Sequence, residues 1–173
     1  SQKDISDEHP QPEGIFRTGT VAMIMRMRKL PDGRIKILTQ GLCKANIQEF
    51  TQTQPFYEVK AERIQDTVLS LPQSEVTALM RNVREQLERV IGLGKVISSD
   101  ILMVLDDITD AGRMADLVAS NLGLKVSDAQ SVLETHDAVE RLKKIFEMLS
   151  REVEVLSLQA KIRSNAKDEM TKS

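Results

Sequence analysis

Three residue types that can carry out acyl transfer lie close together in the sequence: Ser131, His136 and Asp137. A serine–histidine–aspartate site needs an exposed nucleophile on a sharp turn, a base within hydrogen-bonding reach and donors for an oxyanion. Here the three side chains would have to converge across a helix junction, and the sequence has no nucleophile elbow. Asp106 and Asp107 are adjacent, so their side chains diverge, which favours a solvated helix end over acid–base catalysis. We expect no catalytic residue.

Phosphate binding is the second chemistry to consider. A P-loop has the pattern Gly-x4-Gly-Lys-Ser/Thr, in which backbone N–H groups and a lysine hold the phosphates. Gly94 and Lys95 match the end of that pattern, but position 89 is Arg and position 96 is Val. The glycines therefore predict the end of a helix, and no bound nucleotide is expected.

Metal and thiol sites are also not predicted. His9 lies in the leading loop and His136 at a helix junction, and neither has a second His or Cys at ligand spacing. Cys43 is the single cysteine and lies in an alternating apolar run, so it is interpreted as a packed side chain in a reducing compartment rather than as a reactive thiol.

Composition limits the class of protein. The net charge is -2 and aromatic residues make up 3% of the chain, which argues against a strongly basic, base-stacking protein. No run is apolar enough for a membrane span, and the polar start SQKDISDEHPQPEG is unlike a signal peptide, so we expect a soluble protein and a start within a domain. Charge is uneven, because basic residues dominate 17–60 and acidic residues dominate 100–140. Opposite solvated faces and a docking function both remain open.

The first half has the period of β-strands. In VAMIMRMR, alternation places Val21, Met23, Met25 and Met27 on one face of a strand. The turn LPDG (30–33) and the run RIKILTQG complete a predicted hairpin. Short strands are further predicted at 42–50 and 56–64. A methionine row either lines the core of the sheet or, because Met is flexible and polarisable, contacts varied apolar partners.

After Asp66 the period changes to that of helices. Ser74 starts a predicted helix that Gly92 and Gly94 end, and a short helix covers about 99–105 with Ser98 or Ser99 as its cap. Three later helices are predicted to begin at Asp110, at the Ser127 capping box and at Asp137. The last has a heptad stripe and, at about 33 residues, would reach on the order of 50 Å. The stripe consists of Val139, Leu142, Phe146, Leu149, Val153, Leu156 and Ala160. The predicted class is α+β: an incomplete antiparallel β subdomain followed by a helical bundle ending in one long helix.

Two runs resemble a known family, the Lon proteases. GTVAMIMRMRKLPDGRIKILTQGLCKANI (19–47) looks like the second half of the Lon β subdomain, with its LPDG hairpin and QGL step. The helical run 108–162, from ITDAGRMADL to LSLQAKI, is similar to the family's helical segment nearly throughout. The resemblance extends over about residues 1–173. It implies a partial β subdomain at 1–66, without the family's opening strands, and a helical subdomain with a long connecting helix at 67–173.

The resemblance also implies a role. The chain is expected to be the substrate-recognition N-terminal region of an ATP-dependent protease that degrades misfolded and regulatory proteins in the bacterial cytoplasm. The Ser-Lys dyad of the peptidase and the site for ATP and Mg belong to other modules, so no catalytic, metal or cofactor residue is assigned here. Expected partners are unfolded or degron-bearing proteins and, in the full-length parent, the other subunits of a homo-hexamer. The candidate contact residues are Met23, Met25, Met27, Phe50, Phe56 and Tyr57.

Two other functions remain open at this stage. The heptad stripe of the last helix could pair with a neighbouring copy, which would make the chain a structural or oligomerisation module. Weak binding to DNA is the other alternative, because five cations cluster around the predicted hairpin. These are Arg26, Arg28, Lys29, Arg34 and Lys36.

Overall fold

The computed structural model describes residues 1–67 and 71–172, and its contacts form two compact units, Ser1–Gln65 and Asp66–Ser173. The first unit contains a three-stranded antiparallel sheet in the order β1-β2-β3. The second unit is helical. The α+β class is confirmed. The predicted change from strands to helices, between Asp66 and Ser74, includes residues 68–70, which lie outside the described residues.

The sheet is built from β1 (Thr18–Lys29), β2 (Ile35–Gln52) and β3 (Glu58–Ile64). The predicted hairpin between β1 and β2 is confirmed: Gly33 has φ +87, and its N–H donates to the carbonyl of Leu30 at 3.0 Å, closing a β-turn. A short 3-10 turn at Pro12–Gly14 precedes the sheet.

The strand predicted at 42–50 is not separate, because β2 runs unbroken for 18 residues. The ladder continues past Gly41 by a bulge: Val21 pairs with Cys43 and Ala22 with Gly41, so Leu42 is the extra residue. A bulge absorbs one residue without ending the strand. The QGL step therefore bends a long strand, where the sequence suggested a break.

The second unit contains α1 (Gln73–Gly92), α2 (Asp100–Asp106), α3 (Ala111–Asn121), α4 (Val126–Leu133) and α5 (Ala138–Lys172). Its core forms where the apolar stripe of α1 meets that of α5, with α3 packed against both. Val83, Leu87 and Val90 on α1, and Leu142 and Ile145 on α5, are completely buried. Spacing of three and four residues places each set on one side of its helix.

Two of the predicted helix starts are confirmed by their capping bonds. The carboxylate of Asp110 accepts from the N–H of Arg113 at 2.6 Å, and that of Asp137 accepts from the N–H groups of Val139 and Glu140. The predicted Ser127 capping box is wrong, because α4 begins at Val126 after Lys125, and no side chain caps it. Gly123 ends α3 with φ +61, as its position predicted.

The last helix is longer than the bundle that it helps to form. It has 35 residues, which at 1.5 Å per residue corresponds to about 50 Å, but its last buried residue is Val153. None of the described helices is long and apolar enough to cross a membrane.

Candidate functional site

The segment from Val21 to Leu42, called the hairpin below, exposes large apolar side chains on a sheet that has little core of its own. Among the described residues of the first unit only Thr18 and Ala45 are buried. Exposed large apolar side chains that cluster in one segment are typical of a binding site. The exposed large apolar residues of the hairpin are Val21, Met23, Ile24, Met25, Met27, Ile35, Ile37, Leu38 and Leu42.

The pairing of β1 with β2 decides which hairpin side chains share a face. Residues directly opposite each other in a ladder point to the same side of the sheet, and neighbours along one strand alternate. The ladder pairs Met27 with Ile37 and Lys29 with Ile35, and Ile24 with Thr39. We call this side the apolar face: its large apolar members are Ile24, Met27, Ile35 and Ile37.

The opposite side of the hairpin carries the positive charge. Arg28 pairs with Lys36 and Arg26 with Leu38, and Met23 pairs with Gln40. We call this side the cationic face, after Arg26, Arg28 and Lys36. Asp32 is the one acidic residue between positions 21 and 42, and it is paired with Arg34 at 2.6 Å. The three cations thus have no acidic neighbour within the hairpin.

The expectation that Val21, Met23, Met25 and Met27 form one row is wrong. Register shifts lie between Val21 and Ala22 and between Ile24 and Arg26, so Met25 is an extra residue in β1. The shift reverses the alternation, which leaves Met23 beside Gln40 on the cationic face and Met27 beside Ile37 on the apolar face. Met23, Met25 and Met27 are each about half exposed among the described residues.

The three aromatic candidates differ in their surroundings. Phe50 is partly buried: it packs edge-on against Tyr57 with ring centroids 5.6 Å apart, and the Arg17 guanidinium lies 5.4 Å from its centroid. The Tyr57 hydroxyl donates to the carbonyl of Pro10 at 2.7 Å. These contacts fix the leading loop to the sheet and occupy two of the candidates. Phe56 is 61% exposed.

The sequence analysis missed Ile24, Ile35 and Ile37 as site residues. Alternation in RIKIL already places Ile35 and Ile37 on one face, opposite Lys36. The bulge at Met25 decides which residues of β1 lie on the same face as Ile35 and Ile37. The alternating sequence MIMRM gives no sign of this bulge.

The residues considered for chemistry have other partners. Gly92 is the last residue of α1 and Gly94 follows it, whereas phosphate sites use the N-terminal end of a helix. Lys95 pairs with Glu152 at 2.9 Å. ATP therefore does not fit here. The Lys144 ammonium group donates to the hydroxyls of Ser131 and Thr135. It also donates to the carbonyl of Ser131, and so it caps the C-terminal end of α4. Within 1–67 and 71–172 no cluster of His, Cys, Asp and Glu could hold a metal ion.

A buried arginine organises the start of the helical unit. The Arg141 side chain has no exposed surface, and its guanidinium binds both carboxylate oxygens of Asp66, at 2.9 and 2.7 Å. It also donates to the carbonyl of Thr135 at 2.8 Å and lies 3.0 Å from the carboxylate of Asp116. Burial lowers the pKa of Arg141, but the Asp66 hydrogen bond and the nearby carboxylates outweigh it and raise that pKa above its ordinary value. The cluster anchors the chain at Asp66.

Comparison with known proteins finds, by sequence, the family that the two runs resemble and, by structure, a similar fold. Residues 1–151 match the family model described as the ATP-dependent protease La (LON) substrate-binding domain. All 173 residues align with Lon protease 2 of Bdellovibrio bacteriovorus at 56% identity and with the Lon protease of Trichlorobacter lovleyi at 54%. The aligned part is 22% and 21% of those two proteins, so the chain spans about a fifth of each.

Among solved structures, the N-terminal domain of the Mycobacterium avium complex Lon protease is similar, with a TM-score of 0.66 and 19% identity. The match covers 82% of this chain and 74% of that one. At this identity the likeness concerns the fold, an antiparallel sheet unit followed by helices.

Proposed function

This chain belongs to the substrate-binding domain family of the ATP-dependent Lon proteases, and from that membership we propose that its exposed hairpin binds unfolded or degron-bearing proteins. The observation that supports this most is the apolar face, because its isoleucines and methionine lie in solvent on a sheet with almost no buried core. Burial of one such side chain contributes about 1.5–3 kcal/mol. A few contacts with an unfolded segment would give a useful affinity.

The physical properties of the hairpin suit varied partners. Unfolded segments share exposed apolar side chains and free backbone groups, but no common shape. Met23, Met25, Met27 and the exposed Phe56 supply flexible or broad apolar contacts, which can adjust to different sequences. Phe50 and Tyr57 would act indirectly, because their internal contacts hold the leading loop in place.

We further propose that the parent polypeptide is a cytoplasmic bacterial protease that assembles as a homo-hexamer. Its other modules would bind ATP and Mg, hydrolyse ATP and cleave the bound protein. The Lon proteases that this chain resembles are about five times its length, which leaves room for such modules. The role proposed for the present residues is capture, without a chemical step.

The test is a titration of fluorescein-labelled casein, a disordered protein, followed by anisotropy. Met27→Ser and Ile37→Ser, made together, remove two neighbouring members of the apolar face. We expect an affinity lower by tenfold or more, because both side chains are about half exposed and burying their exposed parts contributes about 1.5–3 kcal/mol together. Met103→Ser with Val126→Ser removes two comparably exposed apolar side chains from α2 and α4, outside both proposed contact surfaces, and is the matched control.

Met23→Ser separates the two faces of the hairpin. If the apolar face carries the binding, this change weakens casein binding less than Met27→Ser does, although the two residues are similarly exposed. Circular dichroism and Tyr57 fluorescence check that each variant stays folded. An unchanged affinity for the Met27 and Ile37 double variant would remove the apolar face from the site.

Self-association through α5 is a second candidate function, but through a different set of residues from the heptad stripe that the sequence analysis considered. The predicted heptad stripe is used inside the bundle, since Val139, Leu142, Leu149 and Val153 are buried. A second stripe, Val155, Leu158 and Ile162, is exposed beyond the bundle at spacing of three and four. We propose that this stripe pairs with another copy. Sedimentation velocity over a range of concentrations tests it, and a strict monomer at high concentration would exclude such pairing for this chain.

A further inference from the structure

The two residues that lead into the helical unit, Asp66 and Thr67, are tied to the start of α5. The Asp66 carboxylate accepts two hydrogen bonds from the buried Arg141 guanidinium, and the Thr67 N–H donates to the carbonyl of His136 at 3.2 Å. Thr67 also forms an isolated parallel bridge with Asp137, which caps α5. We call residues 66–67 the strap. An ion pair and a short stretch of backbone thus fasten the strap to one helix end.

Gly112, in the first turn of α3, leaves the space that the Asp66 carboxylate occupies. A Cβ atom at position 112 would overlap both the Asp66 carboxylate and the Arg141 guanidinium. At Gly92, the last residue of α1, a Cβ atom would meet nothing within 4 Å. A glycine inside a helix costs stability relative to alanine. At position 112 the missing side chain allows the strap to meet both α3 and α5.

We propose that Gly112, Asp66 and Arg141 form a latch that closes the strap onto the helical unit and opens while the helical core stays packed. The strap has the exposure expected of a segment that opens locally. Both of its residues are exposed, whereas Leu142 and Ile145 are completely buried. Opening of the strap therefore costs less free energy than unfolding of the unit.

Arg141 can release the strap and still keep part of its surroundings. In the open form it retains the Thr135 carbonyl at 2.8 Å and the Asp116 carboxylate at 3.0 Å. These two partners continue to compensate its buried charge, and the Asp66 carboxylate, already 37% exposed, becomes fully hydrated. The latch is therefore a device with two states inside one folded unit.

Opening of the latch changes the length of the connection to the sheet. Since β3 ends at Ile64, one residue, Gln65, lies between the last strand residue and the closed strap. With the latch open, Asp66 and Thr67 join this connection. Each residue extends by up to about 3.3–3.6 Å, so the two residues add about 7 Å of reach. This inference does not depend on what the hairpin binds.

Native-state hydrogen exchange, followed by NMR on the isotope-labelled chain, tests the latch with the Thr67 amide as its reporter. In the unchanged chain we expect the Thr67 amide to be protected and its exchange to be independent of urea at low concentration, because local opening exposes little surface. The Leu142 amide should exchange far more slowly and should respond to urea. The same urea dependence at both amides would show that the strap opens only by unfolding of the whole unit, and would overturn the proposal.

Gly112→Ala should open the latch without removing a charge. We expect exchange of the Thr67 amide to be faster by about tenfold or more, from the loss of charge-assisted hydrogen bonds, while the Leu142 amide stays strongly protected. Gly92→Ala adds the same methyl group to a helix and is the matched control, in which Thr67 exchange should not change. Asp66→Ala removes the carboxylate but keeps Gly112, and it should reproduce the fast exchange. Unchanged Thr67 exchange in Gly112→Ala or in Asp66→Ala, or equally fast exchange in Gly92→Ala, would overturn the latch.

Discussion

Replacing Arg141 by Met should destabilise the helical unit more than any other single charge removal in it. The change deletes the guanidinium that binds Asp66, Asp116 and the carbonyl of Thr135, and it removes a buried positive charge from beside two carboxylates. Breaking a buried ion pair costs about 3–5 kcal/mol. Because the side chains of Asp66 and Asp116 are 37% and 42% exposed, water relieves part of this cost, and about 3 kcal/mol is expected.

Replacing Asp66 or Asp116 should lower the free energy of unfolding by less than replacing Arg141 does, and Asp66 should matter more than Asp116. Asp66→Asn keeps the shape but loses two charge-assisted hydrogen bonds, for which we expect about 2 kcal/mol. Asp116→Asn removes one more exposed charge at 3.0 Å and should cost about 1 kcal/mol or less. The order therefore follows the number of contacts to the buried guanidinium.

Urea unfolding followed by circular dichroism at 222 nm measures the stability of the second unit, because helices dominate that signal and the five described α-helices lie in this unit. With a slope of about 2 kcal/mol per molar urea, the Arg141 variant should unfold about 1.5 M earlier. Arg84→Met is the matched control: Arg84 pairs with Asp106 at 2.6 Å near the surface, so its midpoint should stay close to that of the unchanged chain. Equal effects at Arg84 and Arg141, or a larger effect at Asp116 than at Asp66, would refute the argument.

Four further outcomes are expected. Because the pKa of Arg141 is raised in the folded chain, its charge contributes to the free energy of unfolding at every pH below the ordinary arginine pKa. The difference in urea midpoint between the unchanged chain and Arg141→Met should therefore be the same at about pH 7 and pH 9. Asp110→Ala removes the cap of α3 and should cost about 1 kcal/mol in thermal unfolding. Gly123→Ala forces an alanine into a left-handed conformation and should cost about 1 kcal/mol in the same assay. Ending the chain after Ser157 should lower the helical signal but leave the urea midpoint unchanged, because the last buried residue of α5 is Val153.

The elements of this fold could be predicted where the signal is local. The LPDG turn, the stop at Gly123 and the caps at Asp110 and Asp137 act within a few residues, and the structure confirms each. The cap predicted at Ser127 is wrong because α4 begins two residues earlier than that cap would place it, with Lys125 in the cap position, and helix ends vary by one or two residues around a local signal. The predicted strands join into one β2 because both pair with β1. The sequence of a single strand does not show with which strand it pairs.

The candidate site was predicted only in outline. The sequence indicated an apolar, cationic hairpin, but the bulge at Met25 decides which residues act together, and a one-residue shift moves every later side chain to the other face. The Arg141 cluster gave no signal, because Asp66 lies 75 residues away in the chain. Such a contact arises only when the helices assemble around the connection from the sheet.

The buried core of the chain and the surface proposed to bind substrates lie in different units. The helical unit buries the stripes of α1 and α5 against each other, whereas the described part of the sheet unit buries only Thr18 and Ala45. Ile24, Met27 and Ile37 are exposed among the described residues. A bound segment would bury these side chains and stabilise the sheet that binds it, since a ligand that binds only the folded form shifts the equilibrium toward that form.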